Sequence, residues 1–271
     1  MHNPAKMNDT PKWLEKLARV GFATKGTLYA IIGVLALMTA IGEGGQTGGS
    51  SDAIQKIAQQ PFGKALLVLT AIGLFAYALW RFVQSAMDPE NEGTDGKGVA
   101  KRIGYGVSGL MHAFLGVNVV QMLMGSGGSG GGSKQTYVAK IMAIDTVGPI
   151  LIGLLGAIVV GVGIYQITKA WKVKFAEKLK TGEMSRKVQE VAIKAGRAGL
   201  TARGIVFGII GGFLVKAAIT HNPGQTKGVG EALAEIGSQS YGAILLGLVA
   251  AGLVAYAVHQ FVFARYRKIP A

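Results

Sequence analysis

Residues 197–219 read RAGLTARGIVFGIIGGFLVKAAI, and this stretch decides how the rest of the chain is understood. From Gly204 to Val215 it is uncharged and apolar, and it opens with two arginines. About 20 helical residues at 1.5 Å each cover a hydrocarbon layer of roughly 30 Å, so the stretch predicts a membrane-crossing helix over Gly199 to Ile219. Five other stretches share its length and character: Val20 to Ile41, Phe62 to Phe82, Ile103 to Met124, Val147 to Thr168 and Ser240 to Ala264. Composition agrees. Half of the 271 residues are apolar, 15% are charged, and the mean hydropathy is +0.39. That excludes a disordered chain and fits lipid better than water. The absence of cysteine excludes disulfides, thiolate metal sites, iron–sulfur clusters and cysteine nucleophiles.

The opening arginine and the glycines of this stretch recur. An Arg, a Gly two later, a Gly five further and a Gly seven further appear as Arg19, Gly21, Gly26, Gly33; as Arg102, Gly104, Gly109, Gly116; and as Arg197, Gly199, Gly204, Gly211. The even-numbered spans open with Phe62-Gly63, Val147-Gly148 and Tyr241-Gly242. Seventeen residues after each glycine stand Trp80, Tyr165 and His259, followed by Arg81, Gln166 and Gln260. Two patterns in phase define a threefold internal repeat. The expected fold is an all-α membrane protein, a single domain over 1–271, with six transmembrane helices as three parallel pseudo-symmetric hairpins at 12–88, 98–172 and 187–268. Two spans per unit give every unit the same orientation, unlike the inverted repeats of many transporters.

The net charge of +14 is arranged by side. With six spans, the termini and the second and fourth loops share one face, which carries 22 of the basic residues against six on the other. Acidic residues divide nine to five. This is the positive-inside pattern and predicts both termini in the cytoplasm, on the inner side of the membrane. The high basicity therefore reads as topology, and no nucleic-acid partner is expected, since no stacking aromatics or recognition helix accompany it. Met1 to Arg19 is polar and does not read as a cleaved signal peptide.

The pattern resembles the bacterial integral membrane family catalogued as domain of unknown function DUF1206, whose unit has Arg-x-Gly, then Ala-Arg-Gly, then a Tyr and a Gly. The third unit, Arg197 to Gly204, is most similar. The first has Lys25 and the second Ser108 where the third has Arg203. The resemblance covers about residues 12 to 268 and implies six helices in three repeats, with no assigned activity.

Between spans, Asp52 to Ile57, Tyr137 to Ile144 and Glu231 to Ile236 predict short helices capping the outer face, and Gly125 to Ser133 predicts a flexible tether. On the inner face Trp13, Leu14 and Leu17, and again Val188, Val191, Ala192 and Ala195, predict surface-lying lead-in helices whose lysines meet anionic headgroups.

Few residues carry chemistry. Gly26 and Gly33, Gly109 and Gly116, and Gly204 and Gly211 are seven apart on one helix face and predict close helix packing. Lys25, Arg81 and Arg203 lie near the cytoplasmic ends of their spans, where long stems are expected to snorkel to the headgroups. If the units form a ring, these three converge with Gln166 and Gln260 as candidate contacts for an anion or a lipid headgroup. His112 is the deepest titratable group, in the slot of Tyr29 and Phe207, and reads as a hydrogen-bonded packing residue. His259 shares its slot with Trp80 and Tyr165, which an interfacial aromatic belt explains. These two histidines belong to different units, which argues against haem; no metal or other cofactor is expected. No Asp or Glu lies in any span, and no hydrolase or metalloprotease motif occurs, so no enzyme is expected. The glycine-rich faces point to a non-catalytic accessory or scaffold subunit packed against a membrane-protein partner; the alternative is an anion-permeable pore or a carrier of small anions or lipids.

Overall fold

The structure is a computed structural model that describes residues 12–125 and 134–269. Among these residues the chain forms nine α-helices: α1 (Lys12–Ala40), α2 (Ser50–Ala58), α3 (Gly63–Ala86), α4 (Gly96–Leu123), α5 (Lys134–Met142), α6 (Val147–Trp171), α7 (Arg186–Ile219), α8 (Val229–Gly237) and α9 (Gly242–Tyr266). The fold is all-α, and six helices, α1, α3, α4, α6, α7 and α9, are long and apolar enough to cross a membrane. They coincide with the six predicted spans. Most of the predicted tether, residues 126–133, lies outside the described residues.

The lead-in segments differ from expectation. Rather than lying separately on a surface, each continues into its span, so α1 runs 29 residues and α7 runs 34. Asp95 starts α4 and Ser185 starts α7, each side chain accepting from a backbone N–H three residues on. With these caps in place nothing breaks the helix before the apolar run. The apolar lead-in residues Leu14 and Ala192 join a buried layer at the end of the molecule that carries the termini, with Phe175, Leu179, Met184 and Ile269.

The helices pack in the spatial order α4–α3–α1–α9–α7–α6. One rule generates the three most extensive helix interfaces: the glycine pair of each odd span packs on the even span of another repeat. A Cβ on Gly33 would come within 2.9 Å of the backbone of Val254 in α9. One on Gly109 would sit 2.7 Å from Phe82 in α3, and one on Gly211 would sit 2.6 Å from the Gly156 carbonyl in α6. Gly26, Gly116 and Gly204 meet Phe261, Phe75 and the Gly163 carbonyl in the same way. Small residues admit this approach where lipid supplies no hydrophobic incentive. The repeat's arginine serves the same joints. Arg19 donates to the Ala264 carbonyl at 2.8 Å, and Arg102 to the Ser85 carbonyl at 2.9 Å, so each caps the end of the helix its own helix packs on.

At the other end α2 and α8 lie over the bundle, their N-termini touching at Gly48 and Gly230. Asp52 and Glu231 each accept from the N–H of the glycine that starts their helix, at 2.7 and 3.0 Å. Ile54, Ile57, Leu233 and Ile236 insert among Leu28, Ile32, Leu74, Leu246 and Leu253. This half of the interior is a packed apolar core.

Candidate functional site

Between the two apolar layers sits a cluster of cations and tyrosines. Lys25 comes from α1, Arg81 from α3 and Arg203 from α7. Lys25 Nζ donates to the Tyr77 hydroxyl at 3.0 Å, and Arg81 donates to the same oxygen through Nε at 2.9 Å and Nη2 at 2.5 Å. Arg203 Nε donates to the Tyr29 hydroxyl at 3.0 Å, and its Nη1 to Gln166 Oε1 at 2.9 Å and to the Tyr256 hydroxyl at 3.2 Å. The guanidinium of Arg203 also lies over the ring of Phe207, 4.5 Å from its centre. Lys25 is only 5% exposed. The expected snorkelling does not occur: these stems turn inward to tyrosine hydroxyls, Lys25 and Arg203 across to neighbouring helices and Arg81 to Tyr77 one turn back on its own helix.

No ion pair among the described residues involves these three cations. Their partners are hydroxyl and amide oxygens, with no carboxylate in direct contact among the described residues. Gln166 is decisive. A guanidinium only donates, so the Gln166 oxygen must face Arg203, and its amide Nε2 is buried with no acceptor among the described residues. A buried donor beside three cations is the feature an anion would satisfy.

The other predicted residues surround this centre unequally. His112 Nδ1 lies 2.7 Å from the Ser108 carbonyl one turn back, and its ring packs at a tilt against Tyr77 with centres 4.5 Å apart. That bond places the neutral ring's proton on Nδ1 and leaves Nε2 as an acceptor. Gln260 is buried at 4% exposure, and no hydrogen bond among the described residues joins it to the cluster. His259 is not part of a membrane-surface belt. It is buried against Phe175 and Phe263, ring centres 4.9 and 4.4 Å away, and Trp80 is fully buried as well. Only Tyr165 of that trio is exposed. The loop after α6 folds back and fills the level at which a belt would stand, which covers Trp80 and His259.

A second network closes the end with the termini, and it was not foreseen. Arg81 donates to Gln84 Oε1 at 2.9 Å, and Gln84 Nε2 donates to Glu90 at 2.7 Å. Glu90 also receives Lys178 and Arg267, while Glu92 pairs with Lys101 and Lys178. Burial alone would raise the Glu90 carboxyl, but the adjacent charges of Arg267 and Lys178 outweigh it and hold the group at about 2. Backbone bonds from Lys180 to Tyr266 and from Lys268 to Lys178 knit the same segments. Three connecting segments are thereby tied below the cluster.

The fold and the repeated joints define a polytopic helical membrane protein built from three copies of one two-span unit. The family described as Domain of Unknown Function (DUF1206) matches this chain three times in tandem, over residues 20–88, 103–173 and 198–267, and the chain belongs to that family. An uncharacterized protein of Bacillus subtilis (strain 168), YxxB, is 34% identical over 261 residues, covering 96% of this chain and 94% of its own length. No solved structure matches.

Proposed function

We propose that the protein is a non-catalytic, multi-pass membrane protein that binds an anionic, phosphate-type group at Lys25, Arg81 and Arg203. In this reading its termini lie in the cytoplasm and the cluster in the inner half of a bacterial plasma membrane, which the one-sided basic residues support. The observation that carries the reading is the buried Lys25 clustered with the part-buried Arg81 and Arg203, none of them ion-paired among the described residues, together with the Gln166 amide, which has no partner among those residues. Cations in a low-dielectric interior are costly without counter-charge, and a bound anion supplies it. A through-pore is less well supported, because Leu28, Ile32, Leu74, Leu233 and Leu253 fill the axis on the far side of the cluster. The scaffold reading leaned on glycine faces seeking a partner; six of those glycines meet helices of this same chain.

The test is thermal unfolding of the purified protein in neutral detergent with chloride, sulfate and inorganic phosphate. A ligand at a hundred times its Kd stabilises by about 2.7 kcal/mol, a shift of a few degrees. Phosphate is expected to give such a saturable shift, and Lys25→Met or Arg203→Met to remove it. Equal shifts in wild type and both variants, or none in wild type, would refute the assignment.

A further inference from the structure

The three hairpins are not equivalent, and the departure is confined to the second. In hairpins one and three, a glycine brings the two helices into contact. A Cβ on Gly21 would lie 2.7 Å from the Tyr77 Cα, and one on Gly199 would lie 2.4 Å from the Tyr256 Cα. Their counterpart Gly104 has nothing within 4 Å. On the returning helices Gly73 and Gly252 meet Thr24 and Ala202 in the same manner, but the second repeat has Ile158 there, and it is exposed. Among the described residues α4 and α6 barely touch each other, although each is firmly packed, α4 on α3 and α6 on α7.

Side-chain exposure follows the same division. Leu28 and Val206 are 3% and 2% exposed, whereas their equivalent on α4, Met111, is 67% exposed. Thr70 and Val249 are buried and Leu155 is exposed; Tyr77 and Tyr256 are buried and Val162 is exposed. The helices therefore form a ring with one missing joint. That joint stands at the level of the cluster, where the second repeat has Val162 in place of a tyrosine and Ser108 in place of a cation. Above and below, the interior is closed by the α2–α8 cap and by the Glu90 network.

We propose that the group bound at the cluster is the phosphate of an acidic membrane lipid, which enters sideways between α4 and α6. This rests on the anion reading above and specifies its source. A free anion would need an aqueous route, and both ends of the ring are packed. A lipid needs only an opening in the plane of the bilayer with apolar walls and a cationic floor. Leu155, Ile158, Val162 and Met111 line that side, and Gln166 and Arg203 lie within it. Charge complementarity selects an acidic over a zwitterionic lipid, because the latter carries its own cation to the site.

The experiment uses the full chain in nanodiscs of phosphatidylcholine doped with phosphatidylglycerol, with retained lipid counted by native mass spectrometry after release. A parallel arm measures the thermal shift with inorganic phosphate in detergent. Wild type is expected to retain phosphatidylglycerol at least tenfold over its share of the bilayer. Val162→Trp, which fills the gap, should reduce that retention at least tenfold; Val162→Tyr, the residue the other repeats carry, should act in the same direction. Melting in pure phosphatidylcholine reports whether each variant is folded. Arg203→Met should lose both lipid and phosphate. Binding of phosphate without lipid enrichment would overturn the lateral route and leave the anion site standing. Loss of neither signal in Arg203→Met would sink both. Undiminished retention in folded Val162→Trp, or a second copy of the chain seated across α4 and α6, would overturn this proposal alone.

Discussion

Replacing Glu90 by Gln removes the only carboxylate among the described residues that joins the buried Arg267 to Lys178 and, through Gln84, to Arg81. The side chains of Glu90 and Arg267 are 8% and 4% exposed, so this is a buried pair rather than a surface one. Its carboxyl is held at about 2, against an ordinary value of 4.5. The free carboxylate is thus favoured in the folded state by about 3 kcal/mol, in the range found when one member of a buried pair is removed. The direction with pH follows from that depression. The contribution is complete above the ordinary value and is lost as pH falls toward 2; at pH 3 about half of it remains. Denaturant unfolding in a neutral detergent, read through the fluorescence of Trp80 in the same buried layer, measures the difference between wild type and Glu90→Gln. It should be about 3 kcal/mol at pH 6 and shrink by roughly half at pH 3. A difference below 1 kcal/mol at pH 6, or one that does not change between pH 6 and pH 3, would refute the account of this network.

Two further outcomes follow from the joints and the topology. Gly21→Ala and Gly199→Ala force a methyl into the backbone of α3 and α9 and should cost about 1–3 kcal/mol each, whereas Gly104→Ala should be neutral or stabilise by up to about 1 kcal/mol; equal effects in all three would show that the second hairpin is closed. Because the chain has no cysteine, single cysteines report sidedness cleanly: one at Gly44 should react with an impermeant maleimide added to intact cells and one at Gly182 should not, and the reverse pattern would invert the proposed topology.

The six spans and the glycine register were legible because both are properties of a single helix: length, hydropathy and spacing along one face. The helices outside the spans were legible too, since an acidic residue three positions after a glycine marks the start of α2 and α8. What single-helix reasoning misjudged were choices between helices. A lysine stem reaches as far inward as outward, so the direction of Lys25 is set by the Tyr77 hydroxyl, a residue 52 positions away. The same limit applied to Trp80 and His259, whose burial depends on Phe175 and its loop folding back over them. Glu90 gave no signal at all, being one acid in a polar connection until Arg267 and Lys178 are brought to it.

The missing joint was in principle readable. Aligned on their glycines, the repeats show Gly73 and Gly252 against Ile158, and Tyr77 and Tyr256 against Val162. Each change alone is an ordinary apolar substitution in a span, and only their coincidence on one side of one helix gives them meaning. Three identical hairpins would place three cations at the level of Lys25 and Arg203 around a sealed axis, with no way in. The chain instead takes its third cation from Arg81, one helix over, and in the second repeat puts Ile158 where the other hairpins have the glycine that lets their helices meet, and Val162 where they have a tyrosine. The charge and the opening are therefore two results of the same divergence between copies. On the proposed lateral entry, the same break in the repeat serves both to attract the anion and to admit it from the side.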